Sequence, residues 1–284
     1  MNRILLVVFI VVLAGLPLLP VTPEFWVTQL NYIGLASLVV LGLVLLTGVG
    51  GLTSFGQAAF VGLGAYTTAY LTPQYDVSPW LALPAGLILT AVVAYLLGAI
   101  TLRLSGHYLP LGTIAWGLSL YFLFGNLDWL GKHDGIAGIE PISIFGMSLA
   151  SGRHIYYLIW VFVLLALWAT RNLLNSRPGR AIRALKSGAG MAESMGVNTA
   201  AYKVVIFVWA ALLACVSGWL YAHMQRAVSP SPFGINYGIE YLFMAVVGGA
   251  GYVWGALLGS SVILVLKDQL QNLLPKLLDT NANF

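Results

Sequence analysis

Apolar runs of about 20 residues, long enough to cross a hydrocarbon layer about 30 Å thick, recur along this chain and limit its fold more than any other feature. They fall near residues 4–19, 29–49, 55–71, 80–102, 109–124, 156–169, 204–222 and 241–266, with polar or turn-rich stretches between them. In hydrocarbon only helices and closed barrels satisfy every backbone N–H and C=O, and runs of this length are helical. The chain is therefore read as all-α: a polytopic integral membrane helical bundle of about eight spans, some of them glycine-broken or re-entrant. Residues 1–284 form a single transmembrane domain, with a long polar connection at 171–203 inside it.

Composition removes other classes. Only 8% of residues are charged, against about 25% in soluble domains. That excludes an ordinary soluble enzyme, a disordered chain and a nucleic-acid binder. Cys215 is the one cysteine of the chain, so neither a disulfide framework nor a cysteine-based zinc site is available. The 32 glycines follow no collagen period; in membrane helices glycine lets backbones approach closely.

Loop charge predicts orientation, because short loops rich in Lys and Arg stay in the cytoplasm. With the amino terminus inside, the inner face receives Arg3, Arg103, Arg171, Arg177, Arg180, Arg183, Lys186, Lys203, Lys267 and Lys276. Lys132, Arg153 and Arg226 are left for the outer face, together with Glu24, Asp76, Asp128, Asp134, Glu140 and Glu240. Both termini are expected in the cytoplasm. The first run resembles a secretory signal, but no clean small-x-small cleavage site follows it before Pro17, and seven further runs make cleavage unnecessary.

The spans are read as free of charge, every Asp, Glu, Lys and Arg falling in a loop or at a span edge. Ion-coupled carriers keep such groups within the bilayer. No HExxH stands on a helix and no Ser/His/Asp group lies at depth, so no catalytic residue, metal ligand or cofactor is assigned. The stretch Gly125-Asn126-Leu127-Asp128-Trp129-Leu130-Gly131-Lys132-His133 fails as a nucleotide loop, with one residue too many between its glycines and His in place of Ser or Thr. A pathway without charge and without a motor points to a driving force in other subunits.

The connection at 171–203 opens with Ser176-Arg177-Pro178-Gly179, a helix-start signal. Ile182, Leu185, Ala189 and Ala192 then recur on one helical face. Gly188 and Gly190 should break that helix, a second short helix fits 191–195, and Gly196 suits a left-handed cap. Such a basic amphipathic segment would lie on anionic lipid headgroups without any protein partner. Its small residues and lone Glu193 favour docking into a protein groove instead.

Gly179-Arg180-Ala181-Ile182-Arg183-Ala184-Leu185-Lys186, followed by Met191-Ala192-Glu193-Ser194-Met195-Gly196-Val197-Asn198, resembles the cytoplasmic loop of the LivM-type permeases, membrane subunits of ABC importers for branched-chain amino acids and related substrates. Gly51-Leu52-Thr53-Ser54-Phe55-Gly56-Gln57-Ala58-Ala59-Phe60 is similar to that family's early glycine-rich signature. Gly106-His107-Tyr108 with Thr113 and Gly117, and Ile239-Glu240 with Gly248-Gly249-Ala250-Gly251, resemble its later ones. The resemblance implies a permease subunit in a bacterial plasma membrane. Its partners would be a LivH-like permease, two cytoplasmic ABC ATPases and an external solute-binding protein, with lipid around them. It also implies that Arg180, Arg183, Ala192, Glu193 and Gly196 couple the chain to an ATPase. A different class remains open: a self-sufficient channel for a small neutral solute such as urea, which leaves the basic loop without a purpose.

Glycines 50, 51 and 56 predict a broken backbone beside Thr53, Ser54 and Gln57, and irregular backbone at bilayer depth needs protein or a watery cavity to satisfy it. This stretch is the leading pathway candidate, with Tyr66, Thr113 and Ser119 as wall residues. The competing reading is close helix packing, the commoner use of Gly, Ser and Thr in spans. The glycine runs at 48–64 and 248–259 would be corresponding halves of an internal repeat, inverted if they face opposite ways. A last amphipathic stretch, 267–278, is expected to lie along the inner face.

Overall fold

A computed structural model describes residues 23–102, 108–144 and 146–277, with residues 15 and 17 besides. The expected first span, and with it Arg3, Arg103 and His107, lies outside the described residues.

Helix α1, Glu24–Leu43, starts after Pro23 and ends in a π-helical stretch, Val44–Val49. Residues 50–56 are not helical. Then come α2 (Gln57–Tyr75), α3 (Pro79–Thr101) and α4 (Tyr108–Asn126). A crown of short strands follows: β1 (Ile136–Ala137), β2 (Ser143–Ile144) and β3 (Met147–Ser148), β2 and β3 pairing antiparallel. Ser151 caps α5, Gly152–Asn175, by accepting the Arg153 N–H. The short helices α6 (Arg177–Ser187) and α7 (Ala189–Ser194) precede α8, Thr199–Gln225, capped by Asn198 accepting from the Ala201 N–H. Strand β4, Ala227–Val228, pairs antiparallel with β1. Helices α9 (Ile235–Val247) and α10 (Gly255–Leu277) complete the described chain.

The core forms where α8 packs against α1, α2 and α3. A Cβ on Gly64 would overlap the Cys215 carbonyl, and one on Gly218 the Val61 carbonyl, so α2 and α8 meet backbone to backbone, as small residues allow in membranes. Helix α3 shows the matching division of faces. Ala82, Gly86, Thr90, Ala94 and Gly98 are buried, while Ile88, Val92, Leu96 and Ile100 are exposed along one stripe. The exposed stripe suits lipid, and the small buried one suits a neighbouring helix. Some hydroxyls within the helices bond back one turn: Ser37 Oγ donates to the Ile33 carbonyl at 2.6 Å and Thr68 Oγ1 to the Gly64 carbonyl at 2.8 Å. That removes the cost of an unpaired polar group in hydrocarbon.

The bundle has two distinct ends. One carries α6 and α7. The other carries the crown, tied down by Trp80 Nε1 donating to the Ser143 carbonyl and Arg226 Nη2 to the Ala150 carbonyl. In the crown, Asp128 accepts a hydrogen bond from Lys132 and, with its charge, raises the lysine's pKa.

Among the described residues five helices are long and apolar enough to cross a membrane: α1 with its π-helical end, α3, α4, α5 and α8. The count of about eight is thus not reached. Helix α2 has 19 residues, but Gln57, Thr67, Thr68 and Thr72 dilute its apolar character. The run at 241–266 is corrected outright. It is not one span but a hairpin, α9 and α10 folded back at 248–254, with Gly248 against Gly255 and the Met244 carbonyl against Gly259. A turn of uncharged residues this short leaves the run around it apolar as a whole, so span counting passes over it. Consequently Glu240 and Lys267, assigned by charge to opposite faces, form an ion pair at 2.9 Å. Residues beyond Lys267 continue α10 as far as Leu277, and no separate helix begins there.

Candidate functional site

The elbow at 176–198 follows from its sequence. Ser176 Oγ accepts the Gly179 N–H, and Pro178 sits in the first turn of α6. Ile182 and Leu185 are buried while Arg180 and Arg183 are exposed. Gly188, at φ +133, separates α6 from α7. Gly196, at φ +79, closes α7, its N–H donating to the Glu193 carbonyl at 2.9 Å. Glu193 accepts a hydrogen bond from Thr199 Oγ1 at the start of α8. Ala192 is buried beneath the elbow, so it is a packing residue and not part of an exposed docking face. The exposed apolar side chains are Met191 (61%) and Met195 (72%). Sequence reasoning passed over both; their signal was being out of phase with the Ile182, Leu185 and Ala192 stripe.

At the break after α1, other residues supply the missing backbone partners. Thr47 Oγ1 donates to the Leu52 carbonyl at 3.1 Å, and the Phe55 N–H donates to Thr113 Oγ1 at 3.1 Å. Lys186 Nζ, from α6, donates to the Gly48 carbonyl at 2.9 Å. On the flank of Gly48 a Cβ would overlap the Ala250 carbonyl at the tip of the α9–α10 hairpin. Three pieces of chain far apart in sequence therefore meet at one residue without a side chain.

The six expected pathway residues do not gather around open space. Ser54, Gln57, Tyr66 and Thr113 are buried, Thr53 is half-buried, and Ser119 is exposed on α4, donating to the Ala115 carbonyl. The gap among Ser54, Gly56, Thr113 and Trp116 is about 10 Å³, at the lower limit for one water. Tyr66 stacks on Phe124 at 4.8 Å. Ser54 Oγ, the Tyr66 hydroxyl and both amide atoms of Gln57 have no hydrogen-bond partner, an arrangement that costs about 1–3 kcal/mol per group.

Larger hollows lie elsewhere: one of about 940 Å³ beside Tyr95, Glu193 and Trp209, and a less open cleft of about 410 Å³ between α1, α8, α9 and α10. Gln29, Gln225 and Gln271 stand toward its outer, crown-side end, and Leu35, Ala36, Met244 and Leu264 form its floor. Gln225 Nε2 donates to the Tyr32 hydroxyl at 2.8 Å. Lys267 Nζ donates to both Glu240 oxygens, at 3.0 and 2.9 Å, and lies 5.6 Å from the Tyr237 ring centre. At about 1.5 Å per residue, Glu240 is about 12 Å up α9 from Gly248 and Lys267 about 18 Å along α10 from Gly255. Glu240 is half-buried and Lys267 exposed where the two helices face the cleft. The reading of charge-free spans is corrected here: Glu240 and Lys267 lie within α9 and α10, not in loops or at a span edge, and pair with each other across the hairpin.

These parts make a glycine-hinged helical bundle, apolar enough to cross a membrane, with a basic elbow at one end and a polar cleft toward the other. The chain belongs to the family described as branched-chain amino acid transport system / permease component, which matches residues 25–281. It is similar to the high-affinity branched-chain amino acid transport system permease proteins LivM of Escherichia coli (29% identical) and Salmonella typhimurium (27%), each match covering 82% of this chain. The chain spans 60% of the length of those two relatives. It is also 26% identical to the LivH permease protein of Salmonella typhimurium, over 80% of this chain and 79% of that protein. No solved structure matches it.

Proposed function

We propose that the chain is a permease subunit of an ATP-driven importer for branched-chain or related amino acids, in a bacterial plasma membrane. The observation that carries this reading is the family match across residues 25–281. The relatives include both LivM and LivH permease proteins, which supports a pathway shared with a second, LivH-like permease. Two cytoplasmic ATPases and an external solute-binding protein complete the assembly. The subunit carries transport and no catalytic chemistry.

The basic elbow faces the cytoplasm, as loop charge requires, and receives the ATPase. Arg180 and Arg183 supply charge there, Met191 and Met195 apolar contact, and Gly196 and Glu193 hold the turn in shape. Closure of the ATPases then moves α6, and Lys186 passes the motion to Gly48 and the hairpin tip. The break beside Ser54 and Gln57 is where the pathway opens: their unpaired groups gain partners only when water or solute enters. Tyr66, Thr53, Thr113 and Ser119 belong to the surrounding wall, Thr113 also holding the broken backbone. A cytoplasmic amino terminus accords with the apolar run at 4–19. Helix α10 runs away from the elbow, which supports reading its Leu277 end on the outer side, where charge counting alone put it inside.

The test is reconstitution. Alone in vesicles the chain should move no solute; with the second permease, both ATPases and the binding protein, leucine uptake should consume ATP. Transport by the lone chain without nucleotide would establish the facilitator reading instead. Replacing Met191 and Met195 together by Ser should weaken ATPase binding about tenfold or more, measured by co-purification.

A further inference from the structure

Glu240 and Lys267 form an ion pair on the wall of the cleft, with side-chain exposures of 22% and 46%. A partly exposed pair contributes little to stability. Charged groups at bilayer depth are expensive, and where they persist they pair with each other and mark the path of a polar solute. Lys267 has three N–H donors, of which two face the Glu240 oxygens; each of those oxygens has a lone pair to spare. One donor and one acceptor are thus left side by side. Leu35, Val61, Phe233, Met244 and Leu264 give the cleft apolar lining beside them, and Tyr32, Ser217, Tyr221, Gln225, Tyr237 and Asp268 give it polar lining. Its volume of about 410 Å³ is in the range of small-ligand sites, about 300–1,000 Å³.

We propose that this cleft is an outward-facing binding site for a zwitterion with an aliphatic side chain. The solute's carboxylate accepts from the remaining N–H of Lys267, its ammonium donates to Glu240, and its side chain lies on Leu35, Val61, Phe233, Met244 and Leu264. The inference rests on the reading of the chain as an amino-acid permease. It adds the residues that select for paired charges of opposite sign, with one carbon between them, above an apolar floor. Solutes lacking either charge leave one member of the site unmatched, and the site rejects them for that reason.

The experiment uses the assembled transporter in proteoliposomes, carrying Gln271→Cys as a reporter at the mouth of the cleft; Cys215, the natural thiol, is buried. Leucine should slow labelling of the reporter by a thiosulfonate, while isovalerate (no ammonium) and isoamylamine (no carboxylate) should not. Lys267→Gln and Glu240→Gln should each abolish that protection and lower leucine uptake about tenfold or more; Lys267→Arg should retain both. Normal uptake in the Gln variants, or uptake with no protection of the reporter, overturns the site and leaves the transport reading standing. If the unsubstituted assembly moves no amino acid, the transport reading fails. The labelling, which needs no ATP, then decides the site by itself: protection by leucine alone supports it, and absence of protection overturns it. Should a Gln variant fail to insert, protection of the reporter in the otherwise unsubstituted chain decides in the same way.

Discussion

The two glycine-rich breaks, at 48–56 and 248–254, use the same residue for different ends. The first is interior. Its backbone groups are bonded to Thr47, Thr113 and Lys186, and a Cβ on Gly48, Gly50 or Gly56 would run into neighbouring atoms. The second is a surface turn closed by its own main chain, the Tyr252 N–H donating to the Gly249 carbonyl and the Gly255 N–H to the Tyr252 carbonyl. Around Gly251 there is open space, and Tyr252 is exposed. Glycine in the first break lets segments far apart in sequence touch; glycine in the second lets the two arms of one hairpin touch at a bend. Only the first is wired to the elbow.

The largest effect should come from Gly48→Val. Its side chain has nowhere to go against the Ala250 carbonyl, so the variant should lose about 3 kcal/mol or more and give little folded protein, read as membrane levels and thermal unfolding in detergent. Thr113→Val should follow, leaving the Phe55 N–H unpaired for about 1–3 kcal/mol, whereas Thr113→Ser should unfold close to the parent. Lys186→Met should cost about 1 kcal/mol in stability but lower the uptake obtained per ATP hydrolysed, a readout that a purely structural lysine would leave alone. Gly251→Ala should change unfolding by less than about 0.5 kcal/mol. A Gly251 variant as damaging as the Gly48 one would erase the distinction between the two breaks.

What the sequence made legible was local. The elbow was readable because each signal sits within a few residues of its consequence: Ser176 and Pro178 start α6, Gly188 ends it, and Gly196 caps α7. The runs that became α1, α3, α4, α5 and α8 were readable from apolar length. The hairpin was not, because residues 248–254 carry no charge or proline and leave the run from 241 to 266 apolar as a whole. Everything that depends on that turn went unseen with it: the Glu240–Lys267 pair, the cleft and the direction of α10. The link between Lys186 and Gly48 spans 138 residues, and no periodicity reports such a contact. Ser54 and Gln57 were rightly marked as unusual, but their burial without partners is visible only once the helices are assembled.

The meeting at Gly48 has an evolutionary consequence. What presses on it is a main-chain oxygen, which every amino acid at position 250 would carry. A second-site change there cannot create room, as it often can between two side chains. Lineages of this protein should therefore keep glycine at position 48 while position 250 drifts among residues that permit the turn.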